Sequence, residues 1–113
     1  MLRLLIVLSS ASLLSACMTD DQLDRAAAAA NPLVEEWGMC AYKAAASMAY
    51  SQTAPEVIAS AALGMCKMEE IRLRQVITDG VNSATATEVI TTRRAQLWGN
   101  VVAFVVKVRA RRA

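Results

Sequence analysis

The chain has 113 residues, 12 basic against 10 acidic, with no histidine, 4 glycines and 2 prolines. A chain of that length forms one small domain, and without histidine it can build neither a Ser-His-Asp nor a Cys-His nucleophile system. No glycine-rich run is available to cradle a phosphate, and abundant alanine with few aromatics favours helices over a β-sandwich or a disordered linker.

The first element is an apolar leader. Arg3 precedes Leu4-Leu5-Ile6-Val7-Leu8, and the run closes on Leu13-Leu14-Ser15-Ala16-Cys17. One positive charge, an apolar stretch of about 7–15 residues and a small-residue exit form the layout of an export signal. The stretch is shorter than the roughly 20 apolar residues needed to span a bilayer, and polar Thr19-Asp20-Asp21-Gln22 prevents its extension.

The exit Leu14-Ser15-Ala16-Cys17 resembles the lipobox of bacterial lipoprotein precursors. The resemblance covers residues 1–17 only. It implies cleavage before Cys17, diacylglycerol on that cysteine and tethering to a membrane by two or three acyl chains. Ordinary secretion fits less well, because cleavage before Cys17 puts Leu14 where a small residue is required. With Met18 rather than Asp after the cysteine, the resemblance implies the outer membrane, facing the periplasm. Residues 1–16 are then the signal peptide, 17–31 the lipidated terminus and a short helical or flexible tether, and 32–113 the helical domain.

Capping signals punctuate the remainder. Thr19-Asp20-Asp21-Gln22, Thr53-Ala54-Pro55-Glu56 and Thr85-Ala86-Thr87-Glu88 have the form of capping boxes. Asn31-Pro32 reads as an N-cap followed by proline at the first helical position, and Gly80 as the left-handed residue after a helix end. These signals predict a leader helix near 20–30 and helices near 32–50, 54–79 and 86–110. Apolar residues repeat at helical spacing through Leu33, Trp37, Cys40, Ala44 and Met48; through Ala59, Ala62, Cys66, Leu73 and Ile77; and through Ile90, Leu97, Val101, Phe104 and Val108. The β-branched stretch Val101–Val108 has local strand preference, but a lone strand would lack a ladder partner. The expected fold is all-α, a small antiparallel three-helix bundle.

Mirror positions about the turns predict contacts. Cys40 and Cys66 each lie 13 positions from residue 53, so in an antiparallel hairpin they face each other. Export supplies an oxidising compartment, and a Cys40–Cys66 disulfide is expected. About the second turn, near residue 82, Glu69 and Glu70 come opposite Arg93 and Arg94, which predicts a structural ion pair between the two sets. Adjacent Glu35-Glu36 and Asp20-Asp21 diverge on a helix and cannot flank a substrate.

Three surfaces remain as candidates for function. Trp98, Val102 and Val106 give the last helix a second apolar edge, suited to an envelope protein or a second copy of the chain. Lys107, Arg109, Arg111 and Arg112 end the chain without an acid among them. They complement the helix dipole or contact an anionic surface, whereas nucleic acid is excluded by the compartment. Met39, Cys40, Met65, Cys66 and Met68 could gather a soft ion such as Cu(I) if the thiols stayed reduced. The expected role is therefore that of a non-catalytic, lipid-anchored envelope protein without a cofactor, with soft-metal binding as the alternative.

Overall fold

The computed structural model describes residues 20–112, all of them in four helices and the turns between. The leader, Cys17 and Thr19, the capping residue of the first box, lie outside these residues. Helix α1 runs Asp20–Met48, α2 Pro55–Met65, α3 Lys67–Gly80 and α4 Ser83–Arg112. α2 and α3 together form the middle arm of an antiparallel bundle whose outer arms are α1 and α4. The all-helical expectation holds, and Cys40 and Cys66 are joined by a disulfide.

The middle arm differs from the single helix expected over 54–79. It changes at Cys66, where φ is −102° and ψ 28°. The Cys66 N–H is shared between the carbonyls of Ala62 and Leu63, both at 3.2 Å, the tightening common at a helix end. Gly64, a poor helix former, lies in the last turn of α2.

The first arm also departs from expectation. No helix starts at Asn31-Pro32; α1 passes straight through, with Pro32 in its interior. Proline removes one intrahelical hydrogen bond, and the alanine run 26–30 supplies the strongest helix formers just before it. Tertiary contact adds to this. Ala30 packs against the core, and a Cβ built on Gly80 would sit 3.1 Å from that of Ala26. Gly80 is thus the last residue of α3 and has no positive φ. Its missing side chain allows close approach of α1, where a left-handed turn was expected.

Two capping boxes do not form. The N-cap of α2 is Ala54, with no side-chain bond, and Pro55 opens the helix. α4 begins three residues before the predicted 86, capped by Asn82, whose Oδ1 accepts the Thr85 N–H at 2.8 Å. Asn is a strong N-cap, and it leaves Thr85 inside the first turn.

The core holds Trp37, Ala41, Ala45, Ile58, Ala59, Ala62, Cys66, Leu73, Ile77, Ile90, Val101 and Val105. The stripe expected for the middle arm is buried at all five positions. On α1 the buried centre is shifted toward Ala41 and Ala45, leaving Leu33, Cys40 and Met48 half-buried. The Val101–Val108 stretch is helical, because burial of Val101 and Val105 against the other arms overrides local strand preference. Phe104 meets Tyr42 edge-on, with ring centroids 5.2 Å apart. Among the described residues no helix is long and apolar enough to cross a membrane.

Candidate functional site

Glu70 organises the most built feature of the surface. It is the fourth residue of α3, one turn after the break at Cys66, and its rotation carries the carboxylate toward α4. Glu70 is 4 % exposed. Its Oε1 accepts from Arg94 Nε at 2.5 Å and its Oε2 from Lys67 Nζ at 2.5 Å. A buried carboxylate needs such partners. The expected pairing of the two acid–arginine sets is made by Glu70 and Arg94. Glu69 turns the other way, its carboxylate within 4.8 Å of the Cys40 and Cys66 sulfurs, and Arg93 is exposed on the α1 side, near Trp37 and Gln96.

Burial raises the Glu70 carboxyl pKa, but hydrogen bonds and charges from Lys67 and Arg94 outweigh it and hold the group below its ordinary 4.5. A carboxyl lowered on folding contributes stability that is complete above the unfolded value. That contribution is lost as pH falls through the folded one. Wild type should therefore lose melting temperature below about pH 4.5 more steeply than Glu70→Gln. Parallel acid profiles of the two proteins would refute this coupling.

Above the cluster lies an open groove of about 570 Å³ between the middle arm and α4, lined by Ser60, Leu63, Gly64, Ala95 and Trp98 among others. The Trp98 indole N–H donates to Ser60 Oγ at 3.1 Å. Trp98 and Val102 are half-buried and packed on the core, so only Val106, 52 % exposed, remains a free apolar side chain of the three expected to form a partner surface. A Cβ on Gly64 would meet nothing within 4 Å, which leaves the groove open along α2. Sequence reasoning missed Ser60, Gly64 and Ala95 as lining residues. The same mirror rule about residue 82 places Trp98 level with the end of α2, and that was the available signal.

The basic residues at the chain's end divide into two kinds. Arg109 is committed to the fold: its Nε donates to the Ala49 carbonyl at 2.7 Å, and its Nη2 to those of Ser51 and Thr53 at 2.7 and 2.6 Å. Carbonyls past a helix end lack intrahelical partners, and antiparallel packing delivers Arg109 to them. The expectation that Arg109 contacts an external anion is corrected accordingly. Lys107, Arg111 and Arg112 stay exposed. The Arg112 guanidinium lies over the Tyr50 ring, 3.9 Å from its centroid.

The soft-metal alternative loses its anionic ligands. With Cys40 and Cys66 joined, neither sulfur is a thiolate able to bind a metal. Met39, Met65 and Met68 are all exposed beside the bridge.

No family model, curated protein or solved structure matches the chain.

Proposed function

We propose that this is a lipid-anchored protein of the bacterial envelope whose bundle works by binding, without catalysis. The observation that carries the reading is Leu14-Ser15-Ala16-Cys17 at the exit of a short apolar leader. The Cys40–Cys66 disulfide supports it independently, since such bridges persist in exported proteins. Met18 favours the outer membrane, with the domain facing the periplasm.

The groove beside Trp98 is the surface best suited to an envelope protein or a second copy. It joins an apolar wall of Leu63 and Trp98 to the N–H groups that Lys67 and Arg94 retain beyond those bound to Glu70.

Metabolic labelling with palmitate, followed by membrane fractionation, tests the anchor. Wild type should carry label and sediment with membranes. Cys17→Ser should lose the label and leave the membrane fraction, with its helical circular dichroism unchanged. Label retained by Cys17→Ser, or never found on wild type, would overturn the anchor. A photocrosslinker replacing Thr91, an exposed residue lining the groove, should trap a protein or a second copy in intact cells; no adduct would remove the groove from the reading.

A further inference from the structure

The bundle is electrostatically polar along its length. Arms that alternate in direction put the start of α1 and the turn at 81–82 at one end. The loop at 49–54 and the end of α4 lie at the other. Asp21, Asp24 and Asp79 are exposed toward the first end, with Arg25 beside them. The second end carries Lys107, Arg109, Arg111 and Arg112, and α4 has no acid after Glu88. The loop at 49–54 has none either; the nearest acid in sequence is Glu56. The 30 residues of α4 separate the poles by about 45 Å at 1.5 Å per residue.

Helix-dipole complementation accounts for a cation in the last turn, and Arg109 already satisfies the loop carbonyls that need one. Three further cations are exposed at the same end, one stacked on the exposed, amphipathic ring of Tyr50. Tyrosine is a side chain suited to headgroup depth. We propose that this pole binds anionic phospholipid headgroups on a bilayer other than the one holding Cys17, so that the protein bridges two surfaces. The second clause rests on the anchoring reading. A bundle lying flat on its own membrane would press acids such as Glu35 or Glu88, which line its sides, against like charge, whereas an upright one presents a pole where three exposed cations outnumber the single acid Glu56.

Each juxtamembrane cation strengthens anionic-bilayer binding by about fivefold, so three should contribute on the order of 100-fold. The test reconstitutes the lipidated full chain into phosphatidylcholine vesicles and adds vesicles containing phosphatidylglycerol. Clustering measured by light scattering should appear and should fade with added salt. The combined variant Lys107→Gln, Arg111→Gln, Arg112→Gln should lose on the order of 100-fold in affinity for the second vesicles with only a small fall in melting temperature, since Arg109 is retained and no acid is placed against the helix dipole. Equal clustering by that variant overturns the proposal. So does binding of polyglutamate without vesicle clustering, or adsorption of the protein only to an anionic bilayer in which it is itself anchored. Sedimentation of the Cys17→Ser chain with phosphatidylglycerol vesicles reads the pole alone. Loss of clustering with that binding intact would convict the anchor, and loss of both would convict the pole.

Discussion

Removing the Cys40–Cys66 bridge should lower the unfolding free energy by about 3–4 kcal/mol, the value that chain entropy assigns to closing a loop of 26 residues. In a domain this small, that corresponds to a fall of roughly 15–25 °C in melting temperature. The bridge lies where it has most effect, because Cys66 is both fully buried and the residue at which α2 gives way to α3. The Cα atoms are 5.9 Å apart, within the usual range for a disulfide. The variant Cys40→Ser/Cys66→Ala suits the two environments, one half-buried and one sealed. Thermal melts with and without a reductant would check the wild type independently. Superimposable curves would mean that the bridge contributes nothing to the fold.

Trp37→Ala should cost about 3–5 kcal/mol, as for other large buried aromatic residues, while Trp37→Phe should cost less than half as much. Trp37 is 1 % exposed and is the one large aromatic in a core built mostly of alanine and β-branched side chains. Its ring fills space that Ala41, Ala45 and Ala59 cannot reach across, so truncation leaves a cavity. The indole N–H complicates the accounting: it is buried and has no hydrogen-bond partner among the described residues. An unpaired buried donor carries a penalty of about 1–3 kcal/mol. Phenylalanine keeps most of the packing and removes that donor, so part of its lost volume is offset. Urea unfolding of the three proteins decides the point, and a Phe variant as unstable as the Ala variant would show that the indole is satisfied after all.

Both the bridge and Trp37 were visible in the sequence, and for related reasons. Helical spacing marked Trp37 as core, and equal distance from a turn placed Cys40 opposite Cys66. The same symmetry about residue 82 selected the acids and arginines from which Glu70 and Arg94 pair. These are consequences of helix period and antiparallel topology, which a one-dimensional pattern encodes directly.

Local punctuation was less dependable. The Asn31-Pro32 start, the Thr53 and Thr85 boxes and a left-handed Gly80 were each sound by local chemistry, and none of them forms. Ala26 approaching Gly80 turned a turn residue into a packing residue, and Asn82 captured the cap that Thr85 could have supplied. Arg109 took the carbonyls of the α1–α2 loop, which converted a cation apparently free for an external anion into part of the fold. The groove was legible only through Trp98, because its other walls are small residues that no pattern distinguishes.

The amino-acid sequence by itself determined the helical class, the apolar stripes and the cysteine pairing, all of which follow from composition and short-range spacing. Only the tertiary structure decided where helices end, which cations stay exposed and which carboxylate is buried. Most of those outcomes depend on groups tens of residues apart meeting at the same unpaired carbonyl, donor or gap, and chain order alone does not rank the competitors.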